Sequence, residues 1–192
     1  MGRYLSCLTG AVGLVTIIMS SASAAVIFSD NFDTEDLGRT TTLDNFGTIR
    51  GSVTVVPNGG RGIFCAGDAG SCVLLNAGSD IFSFDEFGPG ELVLIFDLAG
   101  NPASEGNLLQ VLYGTTLLDT ISITSSTSFK TYSYDVSGSG RIRFRSGAGD
   151  PVLDNVQLLT RDTTPIPEPS SLMAMISAIG ILGLVSWRHR QS

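Results

Sequence analysis

Between residues 26 and 162 the apolar side chains come only in short runs closed off by Gly, Asn, Asp or Ser, and no window sustains an apolar period of 3.6 residues. That punctuation leaves the segment little to form except strands and turns. The runs are "AVIFSDNF", "GSVTVVPNG", "GIFCAG", "SCVLLNAG", "IFSFDEF", "GELVLIFDLAG", "NLLQVLYG", "TLLDTISIT", "FKTYSYDV", "GRIRFRSG" and "VLDNVQLL". Within "ELVLIFDL" the apolar residues are nearly continuous, which predicts a strand in the middle of a sheet with both faces covered. In "RIRFRS", Ile142 and Phe144 point one way and Arg141, Arg143 and Arg145 the other. The simplest reading of those arginines is a solvated strand face, with an anion or acidic-polysaccharide groove as the alternative. Many short antiparallel strands in a segment of this length predict an all-β fold, a two-sheet antiparallel sandwich of jelly-roll type. Its Val, Ile, Leu and Phe residues suffice for a core at that size.

The two ends of the chain are built differently. Residues 1–25 begin with Arg3, continue through a mostly apolar run from Leu5 to Met19, and close on the small residues Ser21 to Ala25. That is the order of a secretory signal peptide, a helix cut off after Ala24 or Ala25, and the alternative is a retained N-terminal anchor. Export then places residues 26–162 outside the cytoplasm. At the other end, residues 163–171 form a Pro-rich linker whose prolines, which lack an N–H, keep the backbone extended and exposed. Leu172 to Trp187 is apolar except for Ser177 and Ser186. As a helix this stretch would span about 24 Å at about 1.5 Å per residue. With interfacial flanks that approaches the roughly 30 Å hydrocarbon core, so a single transmembrane helix is expected over 172–187. Arg188, His189 and Arg190 follow at once, and residues 188–192 read as a basic cytoplasmic tail, with the preceding domain on the opposite side.

Charge and cysteine usage narrow the function classes. The eighteen acidic residues all lie between Asp30 and Glu168, a stretch with only eight basic ones. A surface so acidic repels phosphate backbones and argues against nucleic-acid partners. It suits instead an exported domain kept soluble by charge, or one offering oxygen ligands to a hard cation. Cys7 falls in the signal segment, leaving Cys65 and Cys72, which in an oxidising compartment most simply pair with each other. The six residues between them, rich in Gly and Asp, predict a tight hairpin loop that brings the two Cα atoms within bridging distance.

The one histidine, His189, lies in the tail, so a Ser-His-Asp or Cys-His nucleophile and a conventional zinc site are not expected in the domain. A glycoside hydrolase needs only two carboxylates, and Asp85, Glu86 and Glu91 are the candidates, but "FDEFGPGE" reads as a solvated turn. A non-enzyme is the expectation. Sugar-binding sandwiches stack ligands on aromatic rings, and with Trp187 in the anchor the available rings are Tyr113, Tyr132 and Tyr134. The last two share a strand face with Val136, which suits a core position as well as it suits a platform.

The tail "PIPEPSSLMAMISAIGILGLVSWRHRQS" joins Pro167-Glu168-Pro169, a short apolar helix and the basic cluster of Arg188 and Arg190 in that order. This arrangement closely resembles the PEP-CTERM sorting signal of Gram-negative bacteria. The resemblance implies signal peptidase and a membrane-embedded exosortase as partners, a transient inner-membrane anchor, cleavage near the Pro-Glu-Pro, and delivery to a cell surface or matrix rich in extracellular polysaccharide and biofilm. A structural or adhesive surface protein is the role it implies, ahead of a carbohydrate binder and a hydrolase. More weakly, "FSDNFDTED" and "SFKTYSYDVSGSGRIRFRSGAGDPVLDNVQLL" resemble the first and last strands of jelly-roll carbohydrate-binding modules and galactose-binding-like domains. In that resemblance Asp33 and Asp154 help hold a structural Ca²⁺. The alternatives are a turn or cap role for Asp33 and a polar strand edge at "LDNV".

Overall fold

The computed structural model describes residues 24–126 and 128–161. The signal segment through Ser23, the linker, the membrane helix, the basic tail and the sorting residues Pro167, Glu168, Pro169, Arg188 and Arg190 lie outside the described residues. Among the described residues no helix is long and apolar enough to cross a membrane.

Ala24–Asp162 is one compact unit. Its first six strands are β1 (Val26–Asp30), β2 (Gly38–Thr40), β3 (Phe46–Arg50), β4 (Val53–Pro57), β5 (Ser71–Leu75) and β6 (Asp80–Ser83). The other six are β7 (Glu91–Ala99), β8 (Asn107–Tyr113), β9 (Thr116–Ile123), β10 (Lys130–Ser137), β11 (Ile142–Ala148) and β12 (Val152–Thr160). They form two antiparallel sheets. The seven-stranded sheet runs β10-β7-β12-β5-β4-β2 with β1 joining β12, and the five-stranded sheet runs β3-β6-β11-β8-β9. The all-β, jelly-roll-like sandwich read from the punctuation is the fold.

Strand alternation sends one set of side chains between the sheets. Leu92, Leu94, Phe96 and Leu98 of β7 meet Leu109 and Val111 of β8 and Ile142 and Phe144 of β11, all buried. Phe96 sits at the centre of an aromatic group: its ring stacks on Tyr132 and Tyr134, at 5.7 and 6.0 Å between centroids, and meets Phe144 edge-on at 5.1 Å.

A bulge lets β12 serve two neighbours on one edge. Val152 and Leu153 pair with β5, while the stretch from Val156 to Leu159 pairs with β1. Between them the register against β7 slips, and Asn155 takes φ 48, a left-handed conformation that asparagine tolerates better than most residues.

The structure departs from these expectations at four places. "GIFCAG" is not a strand but part of a loop with two short 3-10 turns, Gly60–Gly62 and Ala66–Asp68. That loop lies over the outer face of the seven-stranded sheet, where Ile63 and Cys65 pack with Val56, Cys72, Leu74, Ala99 and Val152 in a second apolar cluster. The same cover explains why β5 is buried along its whole length, on both faces. The loop is also not the tight hairpin expected between the cysteines, because Ala66–Asp68 turns as a 3-10 segment. Strand β7 is central, as expected, yet Val93, Ile95 and Asp97 on its outer face are only half-buried. Their cross-strand neighbours on β10 are Asp135, Ser133 and Thr131, which keep that face partly solvated. Strands β2 and β3 are additional; "GRT" and "FGTIR" carry too few apolar residues to register as runs.

Candidate functional site

The outer face of the five-stranded sheet can be read from its register, since side chains directly opposite one another share a face. One row brings Arg50, Asp80, Arg145 and Gln110 side by side, and the next brings Gly47, Phe82, Arg143 and Leu112. Asp80 is 5 % exposed and is the anchor of the face. Its carboxylate accepts from Arg143 Nε at 2.6 Å, from the Arg143 terminal nitrogen, and from Arg145 Nε at 3.0 Å. Burial pushes the Asp80 carboxyl up, but the hydrogen bonds and charges of Arg143 and Arg145 outweigh it and hold the group below the usual carboxylate range. Two of the three arginines expected on a solvated face are therefore tied into an ion-paired network, because β6 delivers a carboxylate that the local sequence around β11 does not reveal.

Next to this network lies a concavity of about 530 Å³. Phe82, Ile49, Arg141 and Arg143 line it from the sheet. Its walls are two turns, Gly114–Thr115 between β8 and β9 and Ser139–Gly140 between β10 and β11, with Glu86 at the rim. The walls are braced. Gly140 exchanges two backbone hydrogen bonds with Phe87, each 2.8 Å, and Tyr113 donates its hydroxyl proton to the Phe87 carbonyl at 2.9 Å. A Cβ on Gly140 would lie 2.7 Å from the Gly114 nitrogen, so only glycine lets the two turns meet. A concave patch with an apolar floor and a few polar groups at its edge is the usual form of a small-ligand site.

A second cluster surrounds the disulfide. Cys65 and Cys72 are bonded, with Cα atoms 5.5 Å apart. Asn58 clamps the loop from inside, accepting from the Cys65 amide at 3.0 Å and donating to the Asp68 carbonyl at 2.6 Å. Two carboxylates hold it from outside. Asp33, just after β1, accepts from the Ser71 amide at 2.7 Å, and Asp154, at the β12 bulge, accepts from the Ala66 amide at 3.0 Å. Asp33 and Asp154 are thus brought to the same loop, though they lie 121 positions apart in the chain. Asp154 is 3 % exposed, and its carboxyl is pushed up to about 7 by burial, with the charges of Asp33 and Asp97 adding to the effect. Asp97 escaped sequence reasoning. It sits inside a strand whose apolar run hid it, and its carboxylate accepts from Thr131 at 2.5 Å and Asn155 at 2.9 Å.

The remaining candidates are dispersed. Asp85 and Glu86 are exposed in the loop after β6, whereas Glu91 opens β7 and pairs with Arg161 at 3.8 Å. Tyr113 is buried, and Tyr132 and Tyr134 are half-buried against the core with the Tyr134 hydroxyl donating to Asp119 at 2.8 Å. The tyrosines are packing residues, not an exposed stacking platform.

Among known protein families, residues 165–191 match the PEP-CTERM protein-sorting motif. The chain carries a PEP-CTERM sorting signal. No curated protein matches the PEP-CTERM chain. Among solved structures, its sandwich is similar to the K2 cleaved adhesin domain of Lys-gingipain, with 14 % identity, 70 % of this chain and 98 % of that one covered, and a TM-score of 0.53. The K3 cleaved adhesin domain of Lys-gingipain from Porphyromonas gingivalis is similar at 16 % identity, covering 71 % and 100 % of the two chains at a TM-score of 0.45. The C-terminal CBM6 of a Zobellia galactanivorans laminarinase is similar at 15 % identity, covering 70 % and 98 % at a TM-score of 0.44. At such identities the likeness is one of fold. The PEP-CTERM motif implies an exported protein.

Proposed function

We propose that this chain is the precursor of an exosortase-sorted surface protein of a Gram-negative cell, whose sandwich acts there as a non-catalytic, adhesive component by retaining extracellular polysaccharide in the groove beside Phe82. The observation that carries the binding role is the braced concavity of about 530 Å³, with an apolar floor and charged groups at its edge, on a sheet face otherwise given to an ion-pair network. The apolar floor suits the C–H faces of sugar rings and the polar edge their hydroxyls. Signal peptidase and exosortase supply the route. The pairing of the sandwich begins at Ala25, whose carbonyl accepts from the Thr160 amide at 2.9 Å. Cleavage after Ala24 therefore leaves the first strand complete.

The test uses the chain as its host exports it. Mass spectrometry of the surface-located protein is expected to place its N-terminus at Ala25 and its C-terminus near Glu168, and that protein is expected to retain the host's exopolysaccharide without shortening it. Thr115→Trp, which fills the groove from an exposed turn, should weaken retention by about tenfold or more, the loss of one to two good contacts. Retention unchanged by Thr115→Trp would refute the groove as the site. Shortening of the polysaccharide would move the chain into the hydrolase class.

A structural Ca²⁺ at Asp33 and Asp154 is a second proposal, supported by the donor chemistry at the disulfide loop. Asp154 is a buried carboxylate that feels the charges of Asp33 and Asp97, and a hard cation beside it would relieve that repulsion. Bound there, the cation would offset that repulsion and fasten the loop to β12. Treatment with a chelator is expected to lower the melting temperature by several degrees, with recovery in millimolar calcium. Identical melting curves would dispose of the site.

A further inference from the structure

We infer that the groove selects acidic saccharides, the Arg141 guanidinium receiving the carboxylate of a uronic acid residue. The inference rests on the groove being a saccharide site, and it adds the ligand's charge and the residue that reads it.

Of the three arginines on β11 and its approach, Arg143 and Arg145 are committed to Asp80. Arg141 is exposed, lines the groove, and among the described residues forms no ion pair. Its guanidinium lies over the Phe82 ring, 5.3 Å from the centroid. A guanidinium held over a π-face keeps N–H groups available to a ligand, and a guanidinium matches a carboxylate with two parallel hydrogen bonds. Arg141 shares that side of the groove with Phe82, so a saccharide resting on the apolar floor meets the guanidinium as well.

Glu86 at the rim sharpens the class of ligand. A bare phosphate or sulfate gains from Arg141 and is repelled by Glu86. A uronate satisfies both, with its carboxylate on Arg141 and a ring hydroxyl donating to Glu86. The overall acidity of the domain is no obstacle. Arg50 on β3, Arg143 and Arg145 on β11, and Arg141 just before β11 supply four of the eight cations between Asp30 and Glu168. Acidic groups beyond about 8 Å are largely screened at physiological salt.

The experiment measures binding of tetragalacturonate, and of the same tetramer with its carboxyls reduced, to the full-length chain by calorimetry. Wild type is expected to bind the acid at least tenfold more tightly than the reduced form, the range of one charge-assisted bidentate contact. Arg141→Gln should erase that preference, Arg141→Lys should restore part of it, and neither should lower the melting temperature by more than a few degrees, because among the described residues Arg141 forms no ion pair and its contact with Phe82 is exposed. Equal affinity for the two tetramers, or a preference that survives Arg141→Gln, overturns the inference. If both tetramers bind equally and Thr115→Trp abolishes both, the saccharide groove stands and only its charge selection fails. If neither tetramer, nor the host's exopolysaccharide, is retained, the groove reading fails as well.

Discussion

Replacing Phe96 with alanine is expected to lower the stability of the sandwich by about 3–5 kcal/mol, the range for emptying a fully buried aromatic site. Phe96 is 0 % exposed and links aromatic rings of the two sheets, stacking on Tyr132 and Tyr134 of its own sheet and meeting Phe144 of the other edge-on. The loss therefore includes about 0.5–1.5 kcal/mol per aromatic pair beyond the area removed from contact. For a domain of this size each kcal/mol shifts the melting temperature by roughly 3–5 °C, so a fall of about 10–20 °C is expected in thermal unfolding followed by circular dichroism. The near-ultraviolet signal should weaken as well, because Tyr132 and Tyr134 lose the ring that fixes them. Phe96→Leu, which keeps most of the volume, should cost less than half as much. A fall of only a few degrees for Phe96→Ala would mean that the two sheets close over the site and that the ring is not central to the core.

Removing the disulfide is the second large effect. Cys65→Ala with Cys72→Ala opens a closed loop of eight residues, for which the chain-entropy account gives about 2.5 kcal/mol. Alanine suits the test because both positions lie in the second apolar cluster, where a serine hydroxyl would be buried among Val56, Leu74 and Val152. A fall of about 8–12 °C is expected. Its character should differ from that of Phe96→Ala. The main core does not depend on the loop, so amide exchange should accelerate first at Cys65 and Ala66, whose protons are held by Asn58 and Asp154, and only later in β7 and β11. Uniform acceleration across the domain would show that the loop and the sandwich unfold as one unit.

Much of the fold was legible because it is written in local patterns. Ten of the twelve strands fall within apolar or alternating runs, since each run has to present a face to the other sheet. The strands that went unread, β2 and β3, are short and carry few apolar side chains, and what orders them is pairing with β4 and β6, a property of their neighbours. "GIFCAG" erred the other way. Its apolar residues are real, but they cover a sheet from outside and do not belong to one. The candidate site was legible only in pieces. Arg141, Arg143 and Arg145 are placed on one face by strand alternation, yet their different fates turn on Asp80 and Phe82, about sixty residues earlier in the chain and brought opposite only by the β6–β11 pairing.

The sequence by itself determined the sorting motif, the β-rich character of its middle and the pairing of its cysteines, because a sorting motif, strand alternation and a lone pair of thiols act over short stretches of chain. Only the tertiary structure decided which arginines around β11 are tied to Asp80, which carboxylates share the disulfide loop and where a groove opens. Those outcomes depend on register between strands distant in sequence, and a single-residue slip in that register would turn each side chain to the opposite face.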